Sequence, residues 1–282
     1  MTTIAPTSQT GRAPRPTPSV PTAAARPGTA RRSVRHAAVV AKRNLIKTMR
    51  TPEQLIDVTL QPVIFLLLFV YVFGGAISHG STHSYLEYLL PGLLGQGVAL
   101  GSIALGTNLN TDIEKGIFDR FRSLPIARST PLVGAVLADF FRYLILVVVY
   151  LGAGAIMGFS VLHSPLGTLA AIGLMLAFAL CFCWIAVFIG MKARTSGSVQ
   201  GIMFLMVLPL SFGSSTFAPT STMPGWLQAF VKVNPISHLV DAARGLMVGG
   251  PVAHDLYWTL GWMAGLLVVF VPLAMRAYNR RA

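Results

Sequence analysis

The chain has 282 residues, of which 54% are hydrophobic and only 11% charged, and its mean hydropathy is +0.65. A soluble domain carries about 25% charged residues, so the sequence excludes an ordinary solvated surface and implies that lipid covers most of the fold. The net charge of +13 then reports orientation in the membrane, and nucleic acid is not an expected partner.

Residues 1–30 are rich in Pro, Thr, Ala and Arg and contain no apolar run. They read as a disordered cytoplasmic tail, not a cleavable signal. Residues 34–50 follow, with Val34, Ala38, Ala41, Leu45 and Met49 at helical spacing and Arg35, Lys42, Arg43, Lys47 and Arg50 on the other side. That pattern predicts an amphipathic helix lying on the anionic inner leaflet.

Crossing roughly 30 Å of hydrocarbon takes about 20 helical residues. Six apolar runs approach that length, near Val58–Ile77, Leu86–Leu109, Pro131–Phe159, Gly167–Met191, Ser198–Phe217 and Leu256–Met275. Only helices and closed barrels satisfy the backbone inside lipid, and the short alternating segments of a barrel are absent. The fold class is therefore an all-α polytopic membrane protein with six transmembrane helices. With both termini cytoplasmic, all of the 22 basic residues except Arg142, Lys232 and Arg244 fall on the cytoplasmic side, as the positive-inside rule requires.

Between the second and third runs lies one compact charged segment, residues 111–125, with Asp112, Glu114, Lys115, Asp119, Arg120 and Arg122. Thr111 with Glu114 three residues on reads as a capping box, and Pro125 as the stop. Ile113, Ile117, Phe118, Phe121 and Leu124 supply an apolar face. An amphipathic helix at 111–125 is expected, built to touch something outside the membrane.

In the third run, Asp139 and Arg142 stand three residues apart and form a possible intramembrane pair. Intramembrane charge costs about 2.5–3.5 kcal/mol per residue on the insertion scale, so mutual neutralisation is expected here more than a substrate or proton site. Cys181 and Cys183 read as packing residues in the fourth run. Small-residue pairs at Gly97 and Gly101, Gly154 and Gly158, and Gly261 and Gly265 permit close helix contact.

Before the last run, Met223–Phe230 predicts a short helix bearing the belt residue Trp226. Asn234-Pro235 opens an amphipathic helix over Ile236–Met247 with a possible Asp241–Arg244 pair, stopped by Gly249-Gly250-Pro251. Both are too short to cross and read as re-entrant or surface helices on the outer leaflet.

The chemistry of nucleotides and of covalent catalysis is missing. There is no G-x-x-x-x-G-K-[ST] loop, no H-E-x-x-H and no G-x-S-x-G, and no cofactor, metal or enzymatic activity is expected of the chain itself.

Four segments together, VYVFGGA at 70–76, YLLPG at 88–92, DIEKGIFDRFRSLPIAR at 112–128 and NPISHLVDAARGLM at 234–247, resemble the ABC-2 type transporter permeases, in particular the daunorubicin-resistance exporter branch. The likeness covers about residues 35–282, with the charged segment its most specific part. It implies an ABC-2 transmembrane domain over 31–282, paired permease subunits, and separate cytoplasmic ATP-binding-cassette subunits that hold the ATP. The helix at 111–125 would dock into that ATPase through Asp112, Glu114, Lys115, Phe118, Asp119, Arg120, Phe121 and Arg122. The function expected on this basis is ATP-driven export of amphipathic drugs or lipid-like compounds. The alternative class is a carrier or channel driven by an ion gradient without an ATPase. The charged helix and the lack of a lone intramembrane carboxylate favour the first.

Overall fold

The computed structural model describes residues 52–74, 82–117, 130–160 and 164–281. The expected tail, the inner-leaflet helix at 34–50 and the charged segment from Phe118 onward lie outside the described residues.

Every regular element among the described residues is helical. Helix α1 (Pro52–Leu68) continues into a π-helical turn at Phe69–Phe73, and α2 spans Thr82–Glu114. Next come α3 (Thr130–Ile156), α4 (Pro165–Lys192) and α5 (Ser196–Phe212). A 3-10 turn at Thr220–Thr222 and the short α6 (Gly225–Val231) lead into α7 (Pro235–Val248) and α8 (Ala253–Arg281). Helices α2, α3, α4 and α8 are long and apolar enough to cross a membrane, while α1 and α5 are apolar but shorter.

Burial separates a centre from a periphery. The most apolar stretch of α2 is 72% buried and that of α8 only 17%, so α2 lies inside the bundle and α8 presents most of its surface outward. Helix α4 packs against α2, α7 and α8, and α1 leans on α3. The core is built from Leu89, Leu90, Leu93 and Leu94 of α2 with Met175, Phe178 and Phe182 of α4, all fully or almost fully buried.

The glycines decide how close α2 comes to its neighbours. A Cβ at Gly190 would lie 2.8 Å from the Gly106 carbonyl oxygen, and one at Gly106 would lie 3.0 Å from the Ala186 oxygen. Backbones of α2 and α4 therefore touch there. Of the three paired glycines, Gly97 and Gly101 receive Leu146 and Tyr143 of α3, and Gly154 receives Leu90. A Cβ at Gly261 or Gly265 meets nothing within the chain, so that pair makes no close helix contact among the described residues.

Helix α5 is shorter than the expected run Ser198–Phe217 because its last turn is dismantled. Pro209 lacks an N–H, and the chain leaves the helix at Gly213, whose N–H still bonds the Pro209 carbonyl at 2.8 Å. The following Ser214, Ser215 and Thr216 are buried without being helical. Irregular backbone of this kind survives only where protein groups satisfy it.

Candidate functional site

The two ends of α2 carry the polar chemistry that the fold positions. At the N-terminal end of α2, the outer end on the orientation expected from the sequence, the irregular segment 213–217 is held from three sides. Asn234 donates to the carbonyls of Leu210 and Gly213, both at 2.7 Å, while its own Oδ1 accepts from the Ile236 N–H at 2.9 Å as the N-cap of α7. Tyr88 donates to the Ser215 carbonyl at 2.7 Å and Tyr85 to the Phe217 carbonyl at 3.2 Å. Arg244 donates to the carbonyls of Tyr88 at 3.1 Å and Ser215 at 2.9 Å, and its guanidinium lies 3.8 Å from the centre of the Tyr88 ring.

The Asp241–Arg244 pair expected from the sequence forms, and Ser215 donates to the same carboxylate oxygen at 2.8 Å. Burial pushes the Asp241 carboxyl above the ordinary aspartate range, while the adjacent Arg244 charge pulls it down. Gly92 completes the contact, since a Cβ there would stand 2.7 Å from the Thr216 oxygen. The segments 88–92 and 234–247, far apart in sequence, thus meet over the end of α5.

Helix α7 is fastened on its other side to the start of α8. His238 Nδ1 lies 2.8 Å from Asp255 Oδ1 and Nε2 lies 3.0 Å from the Lys232 carbonyl, with the imidazole stacked on Trp258. Trp226 is three-quarters exposed beside this cap, as a belt residue would be.

In the middle of the bundle Asp139 and Arg142 form the expected pair, with Nε and Oδ1 3.0 Å apart, and both are largely buried. Arg142 also donates to the Gly101 carbonyl of α2. The next residue, Tyr143, places its hydroxyl 3.3 Å from Cys183 of α4. These groups join α2, α3 and α4, and the carboxylate is matched by a cation on its own helix.

The inner end of α2 corrects the sequence reading. Thr111 is not an N-cap. It lies inside α2, which runs unbroken to Glu114, and its hydroxyl donates back to the Thr107 carbonyl at 2.9 Å. The preceding helical turn at 107–110 already supplies carbonyl acceptors for the N–H groups of 111–114, so no helix begins there. The break comes at Gly116, whose φ of +67° ends the helix in the left-handed conformation. Asp112 and Glu114 therefore sit at the negative end of a helix instead of the positive start.

Glu114 finds its compensation elsewhere. Its carboxylate accepts from the Ser196 N–H at 3.2 Å, at the first turn of α5, where Thr195 is the N-cap. One turn earlier, buried Asn110 donates to the carbonyls of Gly190 at 2.9 Å and Ala193 at 3.0 Å, closing the last turn of α4. Of the eight residues expected to contact an ATPase, Asp112, Glu114 and Lys115 are described. Lys115 is exposed and Asp112 half-buried. Phe118, Asp119, Arg120, Phe121 and Arg122 lie outside the described residues.

Sequence reasoning missed Asn110 and the long-range work of Asn234. The signal for the first was an amide, two residues after Asn108, just past the end of the apolar run Leu86–Leu109. For the second it was Asn before Pro at a helix start.

Comparison with known proteins agrees with this geometry. Residues 35–248 match the model of the ABC-2 type transporter family. The chain is 41% identical over 230 residues to the daunorubicin resistance ABC transporter permease protein DrrB1 of Streptomyces coeruleorubidus, covering 82% of this chain and 81% of that one. It is 28% identical over 221 residues to the probable doxorubicin resistance ABC transporter permease protein DrrC of Mycobacterium tuberculosis, covering 78% and 79%. It is also 28% identical over 218 residues to the putative transport permease ycf38 of Cyanophora paradoxa, covering 74% and 72%. The family match and the 41% relative together cover most of a helical bundle that has four spanning-length helices among its described residues, and the chain belongs to the ABC-2 type transporter family.

Proposed function

We propose that this chain is the membrane permease subunit of an ATP-binding-cassette exporter, with six spans, both termini cytoplasmic, and two permease subunits per complex. ATP is bound and hydrolysed by a separate cytoplasmic subunit. The observation that carries the reading is the inner end of α2. A mostly buried helix ends just before Gly116 and delivers the chain into the charged segment ending at Pro125, and the sequence holds no phosphate loop for that segment to serve.

Phe118 and Phe121 anchor the ATPase contact, and Asp112, Lys115, Asp119, Arg120 and Arg122 set its register. Closure of two ATPase subunits around ATP displaces the segment and shifts the permease between inward-open and outward-open states. Reversing a 1:99 population takes about 5.5 kcal/mol of differential affinity, within reach of tight nucleotide binding. The substrates are amphipathic drugs or lipid-like compounds, a reading supported by the resistance relatives to daunorubicin and doxorubicin.

Replacing both Phe118 and Phe121 with alanine is expected to leave membrane insertion intact and to abolish drug export by cells that also produce the ATPase subunit. Wild-type export by the double variant would exclude the docking role.

A further inference from the structure

We infer that Glu114 is a positioning residue that ties the ATPase-docking segment to the N-terminus of α5, so that displacement of the segment is carried along α5 to the outer cap. The inference rests on the reading of the segment after Gly116 as the site of ATPase docking, and it removes Glu114 from the docking surface.

Three observations place α5 as the strut between the two ends of the molecule. Its inner end begins beside Glu114, whose exposed carboxylate accepts the Ser196 N–H at 3.2 Å. A carboxylate at a helix N-terminus faces both an unpaired N–H and the positive end of the dipole. Its outer end runs into Gly213–Phe217, the segment that Asn234, Tyr88 and Arg244 hold to α7 and α2. Between these ends α5 is packed on one side only. Gly197, Gln200, Gly201, Phe204 and Leu205 are exposed, and a Cβ at Gly197 or Gly201 meets nothing.

The rest of the inner joint is stiff. Asn110 and the Gly106–Gly190 contact fasten α2 to α4, and Val199 of α5 packs on Gly106 beside them. Glu114 is the next polar link toward α5, only two residues before the Gly116 break. A force entering after Gly116 meets Glu114 before it meets the packed core.

The position of Ser196 permits a sharp test. It is the first residue of α5, where proline is well accommodated because its missing N–H has no helical partner. Thr195 before it is extended, with φ −133° and ψ 153°, as the residue before proline prefers. Ser196→Pro therefore removes the backbone N–H that Glu114 receives from α5 while leaving α5 able to form.

The chain is produced with its ATPase subunit, and daunorubicin export per ATP hydrolysed is measured for wild type, Glu114→Ala, Glu114→Gln, Ser196→Pro and Glu114→Ala/Ser196→Pro. Glu114→Ala and Ser196→Pro are each expected to lower that ratio about three- to fivefold, the size of one exposed charge-assisted contact. The double variant is expected to be no worse than either single one, since both remove the same bond. Glu114→Gln keeps an acceptor oxygen and is expected to retain most of the ratio. The ATPase is expected to co-purify with every variant.

A Ser196→Pro variant with the wild-type ratio overturns the inference. So does a Glu114→Gln variant that loses the ATPase on purification, which assigns Glu114 to the docking surface. A wild-type chain that holds no ATPase overturns the docking reading itself, and this inference with it, so the two failures are distinguishable.

Discussion

The two ends of α2 are fastened in different ways. At the outer end the fastening is redundant, since Tyr85, Tyr88 and Gly92 of α2 all engage the segment 213–217, and Arg244 binds both partners. At the inner end the fastening is graded. Buried Asn110 and the Gly106–Gly190 contact hold firmly, the exposed Glu114 bond holds weakly, and Gly116 then breaks the helix. The difference is what a driven membrane helix needs, with a fixed reference on one side and a joint that can transmit displacement on the other.

The largest expected effect breaks the outer end. Arg244→Ala takes the cation from the half-buried Asp241 carboxylate, which keeps only the Ser215 hydroxyl, and removes one donor each from the Tyr88 and Ser215 carbonyls, which is expected to cost about 2–4 kcal/mol. Thermal unfolding of the purified chain in detergent reads this as failure to fold or a large drop in Tm. Arg244→Lys is expected to recover little, because an ammonium cannot reach the carboxylate, two carbonyls and the Tyr88 ring together.

The inner end is next. Asn110→Ala removes the buried amide that donates to the Gly190 and Ala193 carbonyls and is expected to cost about 1–3 kcal/mol in the same assay. Gly190→Ala forces a methyl against the Gly106 oxygen and is expected to cost a similar amount, about 1–3 kcal/mol. If Asn110→Ala proved as damaging as Arg244→Ala, the two ends would be equally rigid and the contrast would fail.

The smallest effect sharpens the periphery. Gly261→Ala and Gly265→Ala place methyls where nothing in the chain stands within 4 Å. Each is expected to change stability by less than about 1 kcal/mol, in the stabilising direction that helix propensity gives. A larger loss seen only in the paired complex would mark this face of α8 as a subunit contact.

Much of this arrangement was legible in the sequence. Helices α2, α3, α4 and α8 follow from unbroken apolar length, and the start of α7 follows from Asn234-Pro235. The partners of Asn110 and Asn234 were not legible, because their acceptors are backbone carbonyls distant in the chain, and every residue offers one. The start of the charged helix was misread because Thr111 and Glu114 match a capping box in spacing alone. A capping box acts only where N–H groups lack acceptors, and the helical turn at 107–110 before Thr111 provides them. The shortened α5 shows the opposite case: Pro209 and Gly213 announced an interruption, but the groups that satisfy it come from α2 and α7.

The central claim is that this chain is moved by an ATPase bound to the segment after Gly116 and has no drive of its own. The direct measurement is transport of a panel of amphipathic drug probes by purified chain in liposomes, with and without the ATPase subunit and ATP, and with imposed proton and sodium gradients. The account predicts transport only when ATPase and ATP are both present, whatever the gradient. Transport by the chain alone down an ion gradient would contradict it.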